Sequence, residues 1–301
     1  MGLASLDPQG PVAAQIEVLW WILLGLGTAV FVLVIVLLGR GLLRPRSVGS
    51  SDRGWLVGGG VVLPVILVGI VFAVTIGTMR SLPSPGDPER LTIEITGYQW
   101  WWDVFYPEAE VRTANEVTIP AGAEVEIRLR SADVVHSFWV PALAGKLDML
   151  PDRPTTMVLA ADEPGTYRGM CAEFCGLQHA KMAIVVVAVP PDEFEAWLSA
   201  RAEAPGEPVG EAAGRGRQVF VEAGCGRCHT IEGVSTGRQG PDLTDLASRS
   251  TLAAGTIANT TDHLAAWIAD PQEFKEGVAM ESIALADADL AALIAYLETL
   301  E

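Results

Sequence analysis

Twelve residues constrain this chain more than any others: Cys171-Ala-Glu173-Phe-Cys175-Gly-Leu-Gln-His179-Ala-Lys-Met182. Two thiols, an imidazole and a thioether fall within one loop-length segment. Soft thiolate and thioether donors beside imidazole suit copper, whereas magnesium, calcium and manganese take carboxylate and carbonyl oxygens. The Cys-x3-Cys spacing lets one turn of chain present both sulfurs to the same point, with His179 and Met182 within reach. A blue-copper site needs a single thiolate, and a structural zinc site asks for four strong nitrogen or sulfur ligands and no methionine. Two thiolates therefore suggest two metals that share them as bridges. A CxxxC disulfide and a zinc site with chance neighbours are the competing readings.

The rest of the chain has to carry this loop. At 301 residues it exceeds the ~100–200 residues of an ordinary domain, so two or more units are expected. Hydrophobic residues make up 50% of it, with the excess near the N-terminus, and the net charge is −17. That charge argues against nucleic acid, whose phosphates call for Lys and Arg. Residues 1–16 hold no Lys or Arg and no apolar core, so they form no recognisable signal peptide. Either a presequence has been removed or the first span inserts without one. From Val18 to Gly39 the sequence is nearly uninterrupted apolar, and Trp55 to Met79 is a second such run. Each is near or above the ~20 residues a helix needs to cross a bilayer. Trp20, Trp21 and Trp55 stand at run ends, where amphipathic rings favour the membrane interface. Pro64 lies inside the second run, where a kink is tolerated. Between the runs, Arg40, Arg44, Arg46 and Arg53 face Asp52 alone. Positive charge stays on the cytoplasmic side, so both termini and everything after residue 80 are expected outside.

Beyond the stiff Ser81–Pro88 linker the period changes to two. Leu91, Ile93 and Ile95 alternate with polar residues, as do Val125, Ile127 and Leu129. Such alternation marks half-buried strands. Val117–Ile119, Met157–Leu159 and Ala183–Val189 add further strands between Pro and Gly turns, which reads as an all-β sandwich or barrel. Asp192–Ala204 reads as an amphipathic helix and Pro205–Gly210 as a linker.

The segment after that linker carries a second chemistry. Cys225-Gly-Arg-Cys228-His229 is a c-type haem attachment signature. Two thiols three positions apart reach the two vinyl groups of one haem, and His229 then lies beneath the iron. A zinc knuckle or a redox CxxC needs no His directly after it. An electron-transfer haem is expected to take a methionine on its other face, and Met280 is the one methionine after residue 205. All four cysteines are then assigned, none to a disulfide. Leu290, Leu293, Ile294 and Leu297 have the spacing of a buried helical face. His263, beside Asp262 at a helix start, reads as a solvated surface residue. The segment is acidic, with Lys275 its sole lysine; a solvated surface and steering towards a basic donor are the two explanations.

Residues 171–182, together with Val135-His136-Ser137-Phe138-Trp139-Val140-Pro141, resemble the binuclear copper (CuA) signature of cytochrome c oxidase subunit II. Residues 225–229, Gly240-Pro241-Asp242-Leu243, Leu264–Pro271 and the Phe274–Met280 loop resemble a class I cytochrome c. The resemblance covers nearly the whole chain. It implies a multi-domain membrane protein: 1–80 with a two-helix transmembrane hairpin (spans about 18–39 and 55–79), an all-β cupredoxin domain at 90–190, a helix and linker at 191–210, and an all-α cytochrome c domain at 211–301. By the match, His136 and His179 bind one copper each and Cys171 and Cys175 bridge both. Met182 is a weak ligand to one copper and the Glu173 carbonyl to the other, while the Glu173 carboxylate points to a magnesium shared with the catalytic subunit. Haem c is held covalently by Cys225 and Cys228, with His229 and Met280 as axial ligands. The Pro241 region would line the haem edge and Trp267 would pack on the ring. Within Gly97-Tyr98-Gln99-Trp100-Trp101-Trp102, placed just ahead of the barrel, Trp100 matches the family tryptophan where electrons arrive, and Trp101 and Trp102 read as packing at the membrane interface. Lys146, Asp148 and Arg153 resemble the loop facing the catalytic subunit.

The resemblance implies the electron-accepting subunit of a bacterial haem-copper oxidase in the plasma membrane. Electrons would pass from haem c through the coppers to catalytic subunit I, where oxygen is reduced to water and protons are pumped. Subunit III is a further expected partner. The donor would be a soluble cytochrome c or a quinol-oxidising complex. One departure stands out: Asp52-Arg53-Gly54-Trp55 at the head of the second span holds no Glu, which puts a subunit II contribution to proton uptake in doubt. The alternatives are the second subunit of a copper-containing nitric oxide reductase, a membrane-anchored electron carrier without an oxidase, and a copper delivery or storage protein.

Overall fold

The computed structural model describes residues 6–43 and 52–301. Arg44 and Arg46 of the basic stretch, and the first five residues, lie outside the described residues. Two units form: a helical one, Val12–Pro83, and one made of Met1–Pro11 with Ser84–Glu301.

In the helical unit, α1 runs Pro11–Leu43. The second run folds as α2 (Asp52–Val57), a π-helical turn at Gly58–Val62 and α3 (Leu63–Ser81). Both helices extend past the apolar runs, because nothing in the polar flanks breaks a helix. The π turn has a local cause. Pro64 lacks an N–H and its ring crowds the carbonyl four residues back, and the widened turn across three glycines takes up the conflict. Ser81 hydrogen-bonds to Gln15 at 2.9 Å, joining the end of α3 to the start of α1. Both helices are long and apolar enough to cross a bilayer, and their most apolar windows bury nothing within the protein. Phe31, Ile35, Val65 and Phe72 stand fully outward. Contiguous apolar surface of this kind calls for lipid rather than water, and the chain fits a membrane protein.

The β domain is a cupredoxin-like sandwich of ten strands: β1 (Thr92–Tyr98), β2 (Trp101–Tyr106), β3 (Val111–Ala114), β4 (Glu116–Pro120), β5 (Val125–Ser131), β6 (His136–Trp139), β7 (Leu147–Met149), β8 (Thr155–Leu159), β9 (Gly165–Cys171) and β10 (Ala183–Val189). One sheet has the order β3-β2-β1-β5-β8 and the other β4-β10-β9-β6-β7. The period-two reading places its apolar set correctly. Ile93, Ile95, Val125, Ile127 and Leu129 are fully buried, as are Val117, Ile119, Ile184 and Val186 of the other sheet. Glu126 breaks the alternation by being buried too; its carboxylate accepts the Gly86 N–H at 2.6 Å and the Arg128 Nε–H at 3.2 Å. The tryptophan cluster needs correction. It does not precede the barrel, because Trp101 and Trp102 open β2 and Tyr98 closes β1. Trp102 is not an interfacial ring: it is fully buried and donates its indole N–H to Ala183 O at 3.0 Å. Trp101 stacks on Tyr98 with ring centroids 4.5 Å apart. Trp102 thus finds its partner inside the domain, while Trp101 stays half-buried.

After the sandwich, α4 (Pro191–Arg201) lays Phe194 and Trp197 on Tyr106. The helical cytochrome c domain follows, with α5 (Glu211–Glu222), α6 (Thr261–Ala269), α7 (Pro271–Phe274) and α8 (Asp287–Leu297). Its core joins Val219 and Phe220 of α5, Leu264 and Ile268 of α6, and Leu293, Tyr296 and Leu297 of α8. The α5–α8 crossing closes at Gly216, where an added Cβ would sit 2.0 Å from Ala292 O. His263 lies at the surface in the first turn of α6, as expected. Its Nδ1 lies 2.9 Å from Ala258 O and its backbone N–H is capped by Thr260.

Because that carbonyl belongs to a helix backbone, it cannot rotate away from a methyl. Gly216→Ala, which sets a methyl against Ala292 O, is therefore expected to destabilise the cytochrome domain by about 3 kcal/mol and to lower its melting temperature by more than about 10 °C in circular dichroism. An unchanged melting temperature would contradict the close crossing.

Candidate metal centres

The copper-type loop is held at both ends by strands of one sheet. Cys171 is the last residue of β9 and Met182 directly precedes β10. β6 lies beside β9 with Phe138 opposite Cys171, which brings His136, the first residue of β6, alongside the cysteine. The two sulfurs stand 3.7 Å apart and are free thiols, so the disulfide reading is excluded; a disulfide needs ~2.05 Å. His136 Nδ1 is 3.8 Å from Cys171 Sγ, and His179 Nδ1 is 3.6 Å from Cys175 Sγ. Met182 Sδ lies 3.8 Å from Cys175 Sγ, and Glu173 O lies 3.2 Å from Cys171 Sγ. Each imidazole and each weaker donor thus keeps company with a different sulfur. One tetrahedral ion would draw both imidazoles to one point; here His136 groups with both sulfurs within 4.8 Å and His179 stands outside that set. The residues fit two soft cations sharing two thiolates.

Backbone requirements pin the loop. Gly176 has φ of +114°, and a Cβ there would press on Gln99 Nε2 at 2.9 Å and on the Trp100 ring at 3.2 Å. Only glycine allows both the left-handed backbone and that approach. Gln99 Nε2 and Trp100 Nε1 both donate to Cys175 O, at 2.7 and 3.0 Å. On the opposite side, His136 Nε2 bonds Asp133 Oδ1 at 2.8 Å, which fixes the ring with Nδ1 towards Cys171.

The electrostatics suit a cation pair. Cys171 is pushed down to about 3 by the hydrogen bond from Cys175, against the opposing cost of burial, with His136 and the Glu173 backbone assisting. Cys175 is pushed up, because its S–H is held by the hydrogen bond to Cys171 and because burial and the charge on Cys171 disfavour a second thiolate. The pair releases one proton readily and holds the other until positive charge arrives. Burial opposes charging His136, but the Cys171 and Asp133 groups outweigh it and raise its pKa. The Glu173 carboxylate is turned outward and paired with Lys146 Nζ at 3.3 Å; the same amine holds Asp148 at 2.8 Å.

In the cytochrome segment, Cys225 and Cys228 are free thiols on a short 3-10 turn that delivers His229. His229 Nδ1 lies 2.8 Å from Pro241 O, so the N–H is donated there and Nε2 keeps its lone pair for a metal. Burial keeps this ring neutral, with the Pro241 carbonyl working the other way. Met280 packs on the apolar cluster that also receives Cys225, and Gln272 Nε2 holds its loop by donating to Val278 O and Met280 O at 3.0 and 2.9 Å. Trp267 is partly buried against Phe274, ring centroids 6.1 Å apart. Two free thiols and a neutral, oriented imidazole fit a covalently attached haem.

Sequence reasoning missed how closely the Met280 loop and the copper loop are packed. Gln178 Nε2 donates to Glu276 O at 2.8 Å, Lys181 Nζ to Phe274 O, and Lys275 Nζ to Trp100 O at 2.8 Å and Ala253 O at 3.1 Å. Lys275 is 2% exposed. Burial pushes its amine down to about 7; neighbouring Lys181 adds to the shift and Cys175 opposes it. A lone lysine in an acidic segment was the available signal, and it read equally well as surface. Asp133 and Gln99 carried no signal beyond proximity to His136 and Trp100.

The family model described as cytochrome c oxidase subunit II, periplasmic domain, matches residues 109–189, and the cytochrome c model matches residues 213–301. Cytochrome c oxidase subunit 2 of Alkalihalophilus pseudofirmus is 37% identical, over 99% of this chain and 91% of the relative. The subunit of the same name from Bacillus subtilis is 30% identical over 80% of this chain and 70% of the relative. Among solved structures, the periplasmic domain of subunit II (CoxB) of Bradyrhizobium japonicum is 31% identical with a TM-score of 0.36, covering 37% of this chain and 92% of that domain. With sandwich, thiol loop and haem-attachment motif joined on one polypeptide, the chain belongs to the cytochrome c oxidase subunit 2 family and carries a cytochrome c domain of its own.

Proposed function

We propose that this chain is the electron-accepting subunit of a proton-pumping terminal oxidase, relaying electrons from its own haem c to a binuclear copper centre and on to a catalytic subunit that reduces oxygen to water. When bound, the haem and the coppers supply the one-electron chemistry; the protein supplies ligands, orientation and a dry path. Cys225 and Cys228 would attach the haem, with His229 and Met280 as its axial ligands. Cys171, Cys175, His136, His179, Met182 and the Glu173 carbonyl would hold two coppers, with the two thiolates shared, one imidazole for each metal, and Met182 and the carbonyl as the weaker donors. The observation that carries this reading is the division of imidazoles between the two sulfurs, at 3.8 and 3.6 Å. Asp133 orients His136, and the rigid sheet ends on either side of the loop leave little freedom for rearrangement when charge changes.

Trp100 is where the electron reaches the copper domain. Its ring is 8% exposed and its N–H bonds the carbonyl of Cys175, and the Met280 loop packs against it through Gly277, whose added Cβ would lie 3.9 Å from the ring. Glu173 would turn its carboxylate from Lys146 towards a magnesium shared with the catalytic subunit. Subunit III and either a soluble cytochrome c or a quinol-oxidising complex complete the set of partners. The protein is a bacterial plasma-membrane protein crossing twice, with both termini and both soluble domains extracytoplasmic. Gln9, ahead of the first span, bonds Ala142 O at 2.7 Å and accepts from the Asp162 N–H at 2.8 Å, so the chain before the first span and after the second belongs to one side. The domain limits 1–80, 90–190, 191–210 and 211–301 serve as the working division.

Purification of the native complex in mild detergent is expected to bring a high-spin haem subunit with this chain and to consume oxygen; turnover of nitric oxide in place of oxygen would favour a reductase, and this chain alone would favour a bare carrier. In that complex, Trp100→Phe is expected to slow electron transfer from photoreduced haem c to copper about tenfold while leaving haem attachment intact. A wild-type rate would overturn the Trp100 route.

A further inference from the structure

The relay requires the haem-bearing loop to stay seated on the copper domain, and several polar contacts join the two, among them Glu116 with Ser250 and Thr251 and the buried Thr113–Asp245 bond at 2.7 Å. Lys275 is different. It is the sole lysine of the cytochrome segment, is 2% exposed, and forms no ion pair among the described residues. Its Nζ instead joins three separate pieces of backbone. It belongs to the loop that leads to Met280, it donates to Trp100 O at 2.8 Å in the turn between β1 and β2, and it donates to Ala253 O at 3.1 Å. Ala253 and Ala254 form a tight tip with φ of 52° and 55°. That tip also docks on the copper domain, because Ala183 N donates to Ala254 O at 2.9 Å and Arg168 to Gly255 O at 3.1 Å. Neither the Trp100 nor the Ala253 carbonyl is part of a strand ladder; Ala253 O also accepts from Thr256 Oγ1 at 2.7 Å, whereas Trp100 O has Lys275 as its one partner among the described residues. Leaving a buried carbonyl without one is costly.

We propose that Lys275 is a positioning residue that fastens the Met280 loop and the Ala253–Gly255 tip to the Trp100 turn, and so fixes the seam across which the relay works. This rests on the relay reading above, but it concerns the seam rather than the electron route. An aliphatic stem crosses the apolar seam and its terminal donors reach two carbonyls that no backbone group approaches. A shorter side chain would reach one of them at most, and an apolar one neither. The residue acts through Trp100 and touches no proposed copper or haem ligand.

The test uses the full chain in the purified complex, with hydrogen–deuterium exchange read over residues 97–102, 251–256 and 272–280, and the haem-to-copper rate read in parallel. Lys275→Met keeps length and removes the donors; Lys275→Gln keeps two N–H donors. For Met, exchange in all three stretches is expected to rise about tenfold and the haem-to-copper rate to fall, with both optical spectra and exchange over α8 unchanged. Gln is expected to recover part of both effects. Wild-type exchange and rate in Lys275→Met would overturn the proposal, as would a Gln variant no better than Met. A slowed Trp100→Phe beside a wild-type Lys275→Met would remove the fastening and leave the route standing.

Discussion

Two sulfurs held 3.7 Å apart are the constraint on which the molecule depends. Two thiolates at that distance repel each other strongly when buried, and a free chain would relieve the conflict by protonation, separation or oxidation. This fold blocks separation: Cys171 ends one strand, the loop re-enters the sheet just after Met182, and Gly176 lets the indole of Trp100 close over the turn. Protonation of Cys175 beside the Cys171 thiolate is the relief that the pair's electrostatics favour. Soft cations remove the conflict by taking the proton's place.

The same logic extends outward. His136 is oriented by Asp133, the Cys175 carbonyl is doubly held by Gln99 and Trp100, and Trp100 is in turn held from the cytochrome side by Lys275. A continuous set of hydrogen bonds therefore runs from the copper loop to the loop bearing Met280. Polar groups serve here because the seam has to be specific in register, which apolar packing alone does not provide. A buried polar group with its partners in place penalises every other docking, since any slip leaves it unsatisfied.

Much of this was legible in the amino-acid sequence, for physical reasons that differ by region. The apolar runs gave both helices because hydrocarbon thickness sets their length, yet the π turn before Pro64 was visible only in the backbone. The alternation in Ile93-x-Ile95 and Val125-x-Ile127-x-Leu129 placed two strands correctly, since a sheet with one buried face imposes that period. Trp102 was misread because an aromatic cluster near a span suits both an interface and a core, and only the register of β2 decides which. Cys171, Cys175, His179, Met182 and the Cys225–His229 motif stood out by local spacing, whereas His136 came from the family resemblance and Met280 from being the one methionine after residue 205. Lys275, Asp133 and Gln99 were not found, because they act through partners distant in sequence or through backbone carbonyls, which leave no mark on composition.

The central claim is that the two thiolates are shared by two coppers rather than closed on one ion. Electron paramagnetic resonance of the purified, oxidised chain, with copper quantified against protein, tests it directly. The account predicts two coppers per chain and one unpaired electron whose hyperfine pattern reports both nuclei equally. One copper per chain with the pattern of an isolated cupric ion, or zinc in its place, would contradict it.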